Sequence, residues 1–227
     1  VRQRVRTCAI PPALRVAHLK GKGVARRPVD GRINRGQERL ALGVVGGIHA
    51  PIDESGDIFV FTKNLATYCQ THLRVQFVFN KSIRRIHKAG DAISHIEFVG
   101  EDGGKPEFLS GFDSYVMAMG SHSSVYLRQV GLYVPVYPMK GYSISFTASE
   151  FCPSVSVTDD AAKQVYSLLG STMRVAGTAE FAGYNDSVRK VRIDPLVKGM
   201  QKLFPKAPLD NLTEWACLRP STPDGPP

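Results

Sequence analysis

Apolar and polar positions change their pattern near Gly43. Residues 1–42 hold no sustained period of 3.6 or 2 and contain Pro11, Pro12 and Pro28, so little order is expected there. The text LGVVGGIHAP then predicts a short apolar strand, and residues 53–57 (DESGD) a turn rich in helix-capping side chains. Ile58, Phe61, Leu65, Cys69 and Leu73 recur at steps of three and four, which puts one apolar stripe on a helix of about sixteen residues. RVQFVF (74–79) reads as a strand, closing a βαβ-like unit of the doubly wound kind.

Residues 82–88 and 92–100 alternate as a hairpin about Ala89-Gly90-Asp91, and a second turn at Glu101-Asp102-Gly103-Gly104 leads to EFLSG. The run SYVMAMG (114–120) has the continuous apolar text of a strand buried on both faces, and Ser121–Val130 follows as a short helix. Beyond it, residues 136–148, VSVTD, 163–170 and 172–183 are strand text broken by Gly and Pro, which predicts a second, largely antiparallel sheet. Asp194 as N-cap and Pro195 at the first helical position predict a helix to about Phe204, and EWACLRP gives a last strand. The fold class is therefore α/β (α+β).

Charge changes this picture in one place. The net charge of +9 invites a nucleic-acid reading, yet residues 1–42 carry eleven Lys or Arg against Asp30 and Glu38, leaving the remainder neutral. No specific nucleic-acid partner is expected. Gly21-Lys22-Gly23-Val24-Ala25-Arg26 is not a phosphate loop, because no strand precedes it and its last position is arginine. Cys8, Cys69, Cys152 and Cys217 lie far apart without metal or redox spacing, and cysteine use of this kind fits a reducing cytoplasm. No run approaches the roughly 18 apolar residues of a spanning helix.

Candidate chemistry is sparse. Lys140 and Tyr142 sit in a Pro-x-Lys-Gly-Tyr turn, Glu180 in Gly-Thr-Ala-Glu, and Arg219 in Leu-Arg-Pro-Ser-Thr-Pro-Asp-Gly. An arginine flanked by apolar text near a strand end suits a carboxylate clamp, because its planar fork donates two parallel hydrogen bonds. The alternative is an ordinary surface ion pair. His49, His87, His95 and His122 fall on different elements, and no nucleophile elbow surrounds any Ser or Cys, so a hydrolytic triad has no support. Few titrating groups suit a reaction in which a cofactor accepts the electrons.

GGIHAPIDESGD (46–57), VMAMGSHSS (116–124), GLYVPVYPMKGYSIS (131–145), VAGTAEFAGY (175–184) and LRPSTPDGPP (218–227) together resemble the D-amino-acid dehydrogenase branch of the FAD-dependent oxidoreductases, which includes D-amino-acid and glycine oxidases. The resemblance implies a partial FAD-binding Rossmann-like domain plus a largely antiparallel substrate-binding sheet. It divides the chain into the basic lead-in 1–42, the middle of the FAD domain 43–135, the substrate domain 136–218, and the start of a return to the FAD domain at 219–227. It implies cofactor contacts at Ile83, Ala118, Met119, Gly120, Asp224 and Gly225, and substrate contacts at Arg219, Tyr142 and Lys140. Gly120 and Arg219 should then lie close together. The implied reaction is oxidative deamination of a D-amino acid, with electrons passing to a quinone or respiratory acceptor, in the cytoplasm or at the inner face of the bacterial inner membrane. No catalytic acid or base is assigned.

Family members open with a G-x-G-x-x-G turn at a helix N-terminus and close with a glycine-rich segment. Residues 1–42 offer no equivalent turn, and PDGPP stops short of the closing segment, so the chain is expected to be truncated at both ends and inactive alone. A glycine- or sarcosine-oxidising relative, and a non-catalytic remnant or basic-tailed binding module, are the alternatives.

Overall fold

The computed structural model describes residues 55–225, together with the backbone strands β1 (Arg27–Val29) and β2 (Gly47–His49). The chain divides into a unit of residues 1–54 and a unit of residues 55–227. In the first unit β1 and β2 pair antiparallel, with Pro28 opposite Ile48. β1 is thus a short ordered element inside the lead-in, and the strand expected from LGVVGGIHAP is three residues long.

The second unit opens with α1 (Ile58–His72). Asp57 caps it, its Oδ1 accepting from the backbone N–H of Phe59 at 2.9 Å and Val60 at 3.2 Å, as the capping-rich turn predicts. None of its residues is buried. The strand expected at 74–79 is absent: Arg74 and Asn80 take left-handed φ values of 55° and 56° at either side, and Val78 and Phe79 are exposed. SYVMAMG is likewise not a strand, and Val116 is 90% exposed. Both corrections have one cause. A strand persists by exchanging main-chain hydrogen bonds with neighbours, and no described strand pairs with either run. No βαβ unit forms from these segments.

The hairpin and meander appear as expected: β3 (Lys81–Ala89), β4 (Ala92–Gly100) and β5 (Glu107–Ser110) form a three-stranded antiparallel sheet. Its buried apolar residues are Ile86 and Phe98. A single 3-10 turn (Gly120–His122) leads into α2 (Ser123–Arg128). This helix meets β3 through Tyr126, whose hydroxyl donates to the Ile83 carbonyl at 2.9 Å, and through the linked residue Gln129, whose Oε1 accepts from the Ile86 N–H at 3.0 Å.

The larger sheet takes β6 (Tyr137–Thr147), β7 (Val157–Asp159), β8 (Gln164–Leu169), β9 (Thr172–Glu180) and β10 (Thr213–Ser221) in the order β10-β6-β9-β8-β7, all antiparallel. The Pro-Met-Lys-Gly-Tyr segment expected to turn lies inside β6, and Arg219 lies inside β10. One face is covered by α3 (Lys190–Leu203), which packs on β9, β6 and β8. Ile144, Tyr166, Met173, Val175, Ile193, Leu196 and Met200 form this core, each at most 1% exposed. Along β6 the even positions from Pro138 to Phe146 are buried, the two-residue period of a strand with one covered face.

α3 begins at Lys190, not at the predicted Asp194 cap. Pro195 therefore sits inside the helix, and the Val191 carbonyl loses its helical donor. Val191 is 61% exposed, so water can reach that end of the helix. Gly199 allows α3 to approach β8 closely: a methyl there would overlap Gln164 Oε1 and lie 2.7 Å from the Tyr166 hydroxyl.

Candidate functional site

Alternation across β6 separates the three residues expected to touch substrate. Lys140 and Tyr142 lie on the α3 face with Ile144 and Phe146, whereas Arg219, opposite Met139 in the register, lies on the other. The α3 face is closed. Lys140 is fully buried, its Nζ donating to the Ser187 carbonyl at 3.0 Å and pairing with Glu180 Oε1 at 3.2 Å. Tyr142 is 2% exposed and donates to Glu180 Oε1 at 2.6 Å. Arg189 Nη1 at 2.7 Å and Arg192 Nε at 3.2 Å hold the second carboxylate oxygen of Glu180. No substrate reaches Lys140 or Tyr142 in this arrangement; they tie β6 and β9 to the start of α3.

The electrostatics agree with a closed network. The hydrogen bond from Tyr142 leads in holding the Glu180 carboxyl at about 2, against the opposing effect of burial, with Lys140, Arg192 and Arg189 adding to it. Burial alone would pull the Lys140 ammonium down, but its partners Tyr142 and Glu180 outweigh it and keep the group raised. Burial, helped by the Glu180 carboxylate, pushes the Tyr142 phenol up. All three groups are thereby locked in the charge states that hold the network together.

Arg219 is exposed and has no hydrogen bond or ion pair among the described residues, so the surface-ion-pair alternative finds no partner there. Its side chain leans along β6: Arg219 Cδ lies 3.3 Å from where a Gly141 Cβ would stand. The same face carries Ser143, Ser145, Trp215 and Arg174, with Ser143 opposite Trp215 on β10 and Ala176 on β9. Arg174 donates to Ser145 Oγ at 3.3 Å and stands 5.8 Å above the Trp215 ring. Ser143 is 2% exposed, and its Oγ has no hydrogen-bond partner among the described residues. Leaving such a hydroxyl unmatched costs about 1–3 kcal/mol.

Gly120 comes to the same end of β10. It has φ +54°, and a Cβ built there would meet Pro220 Cδ at 3.9 Å, so this turn approaches the end of β10 at the residue that follows Arg219 in sequence. Tyr184, in the loop after β9, pins this turn: its hydroxyl donates to the Ser121 carbonyl at 3.0 Å and meets Ser124 Oγ at 3.1 Å. Ala118 is exposed, while the Met119 N–H is taken by Ser123 Oγ at 3.1 Å. Asp224 and Gly225 lie in an exposed turn just past β10, closed by the Gly225 N–H on the Thr222 carbonyl at 3.1 Å. Ile83 stands apart on β3, its carbonyl occupied by Tyr126.

The sequence reading missed Ser143, Ser145, Arg174 and Trp215. Their common signal is parity: GYSIS places Gly141, Ser143 and Ser145 on one face of a strand, legible once the opposite face is known to be core.

The architecture is shared with solved structures of low sequence identity. Glycine oxidase from Bacillus cereus superposes with a TM-score of 0.72 at 16% identity, covering 90% of this chain and 56% of that one. L-proline dehydrogenase from P. horikoshii gives a TM-score of 0.64 at 15% identity over 80% of this chain and 48% of that one. No family model matches the chain. In sequence the chain is a homologue of proteins named D-amino acid dehydrogenase. It is 41% identical to that of Methylobacterium radiotolerans over 81% of this chain and 43% of the relative, and 42% identical to that of Dechloromonas aromatica over 81% and 44%. The chain spans about half the length of the curated relatives it matches. The match to Granulibacter bethesdensis, 37% identical, takes in 93% of this chain and so reaches into the basic lead-in.

Proposed function

We propose that this chain contributes the carboxylate-holding sheet of an FAD-dependent D-amino acid dehydrogenase, with Arg219 clamping the substrate carboxylate. The observation that supports the reading is the guanidinium of Arg219, without an ion pair among the described residues, on the open face of the sheet and away from the closed Lys140–Glu180 network. Two parallel hydrogen bonds from that fork would fix the orientation of the Cα–H bond. Ala118, Met119, Gly120, Asp224 and Gly225 would hold the cofactor by main-chain approach, and Ile83 would do so from β3. FAD, when bound, supplies the hydride acceptor at Cα, and the resulting imino acid is hydrolysed to a 2-oxo acid and ammonia. Electrons would leave to a quinone or other respiratory acceptor at the inner face of the membrane. Among the described residues no helix is long and apolar enough to cross a bilayer.

The test joins residues 43–227 to the flanking segments of the Methylobacterium radiotolerans relative and assays D-amino acids, glycine and sarcosine with an artificial electron acceptor. Turnover of D-amino acids above the other two, with KM raised at least tenfold by Arg219→Met, is the expected result. Equal or greater turnover of glycine or sarcosine would move the assignment to the glycine-oxidising alternative, and an unchanged KM in Arg219→Met would remove the clamp.

A further inference from the structure

Arg174 has the features of a binding arginine that the clamp at Arg219 does not use. It is half-buried on the open face of the sheet and has no ion pair among the described residues. Its orientation is set all the same: Nε donates to Ser145 Oγ at 3.3 Å, and the guanidinium stands 5.8 Å from the centre of the Trp215 ring. The terminal Nη1 and Nη2 amines have no hydrogen-bond partner among the described residues. Along β6, β9 and β10 the register places Arg174 and Arg219 on this face and no Asp or Glu. Two cations held on one face without a counter-charge suit a ligand with two anionic groups.

We infer that Arg174, held over Trp215, binds the side-chain carboxylate of a dicarboxylic D-amino acid such as D-glutamate, whose α-carboxylate is held by Arg219; this rests on the carboxylate reading of Arg219. The face is open to such a ligand: Arg219 is exposed and Trp215 is 49% exposed, unlike the closed α3 side of the same strand. The spacing is also suited to it. Met139, opposite Arg219, and Ser145, opposite Arg174, stand about 20 Å apart along β6 at the usual strand rise. Both arginines lean inward over β6. Arg219 Cδ lies 3.3 Å from where a Gly141 Cβ would stand, and Arg174 reaches Ser145 and the ring of Trp215, which is paired with Ser143. Their guanidinium groups are thereby brought to roughly half that separation, about 10 Å. With each carboxylate carbon about 4 Å from its guanidinium carbon, a glutamate reaches about 13 Å at full extension and bridges the gap when bent. Trp215, between the two, would cover its methylene groups.

Trp215 supplies the readout, being the chain's single tryptophan. The full chain is titrated, while its fluorescence is followed, with D-glutamate, with D-glutamine, which has the same length but no second charge, and with pyruvate. D-glutamate should bind about tenfold tighter than D-glutamine, as one added charge-assisted pair implies. Arg174→Met should bring that ratio to about one, and Arg174→Lys, which keeps the charge without the fork, should retain part of it. Arg219→Met should weaken all three ligands. An arginine serving only the fold would affect D-glutamate and D-glutamine alike, so the ratio separates the two roles. Equal affinities for D-glutamate and D-glutamine in the parent overturn the Arg174 assignment without any variant, and an undiminished ratio in Arg174→Met does the same; pyruvate binding lost in Arg219→Met then leaves the clamp standing. Pyruvate binding indifferent to Arg219→Met, beside a D-glutamate preference that depends on Arg174, overturns the clamp and the shared ligand with it. No saturable response in the parent overturns both.

Discussion

Substituting Gly199 by alanine sets two opposed effects against each other. In an exposed helix the change stabilises by about 1 kcal/mol. On α3 the new methyl would overlap Gln164 Oε1 and stand 2.7 Å from the Tyr166 hydroxyl and 2.9 Å from Gln164 Cδ. Gln164 cannot yield freely: it is 4% exposed, its Nε2 donates to the Pro195 carbonyl at 2.9 Å, and its Oε1 accepts from Tyr166 at 2.8 Å. Displacing it breaks both bonds in the core, and each buried group left unmatched costs about 1–3 kcal/mol. After the helical gain is subtracted, Gly199→Ala should destabilise by about 1–5 kcal/mol, or about 2–20 °C in melting temperature for a domain of this size. Urea unfolding followed by far-UV circular dichroism measures it. A variant as stable as the parent would refute the reasoning. The same substitution placed in a Gln164→Ala, Tyr166→Phe background should become neutral or stabilising, because the atoms it strikes are gone.

Glu180 has a folded pKa of about 2 against an ordinary 4.5, so its stabilisation is complete above the ordinary value and is lost as pH falls towards 2. The stability gap between parent and Glu180→Gln should accordingly be widest at neutral pH and close on acidification; a gap independent of pH would count against the network. Leu196→Ala, removing a fully buried side chain of α3, should cost about 2–5 kcal/mol in the same urea assay. Gly141→Ala should disturb the fold little, yet weaken pyruvate binding, since Arg219 Cδ must give way by a few tenths of an ångström. Backbone amides of residues 76–79 and 114–118, having no strand partners among those described, should exchange with deuterium far faster than those of β6 and β9.

The strands of the larger sheet were legible because each has a polar and an apolar side, and β6 keeps that period over its whole length. The runs at 74–79 and 114–120 were misread because apolar composition indicates a wish for burial but carries no information about which strand pairs with which. The start of α3 was misplaced for a different reason. Proline at the first helical position is a sound local rule, but here tertiary charge prevails: Arg189 and Arg192 bind Glu180, and Lys190 meets Asp194 at 3.5 Å one turn on. Arg219 was proposed from its flanking text. Lys140 and Tyr142 were grouped with it through the family resemblance, yet a residue at an even position of β6 and one paired with an odd position cannot share a face.

The two-sidedness of β6 also makes the protein adaptable. Its even positions are bound into helix, charge network and core, while Ser145, Arg174 and Trp215 lie on the opposite face, outside that core. A combinatorial library confined to residues 145, 174 and 215 would therefore vary that face while leaving the buried side of the strand intact.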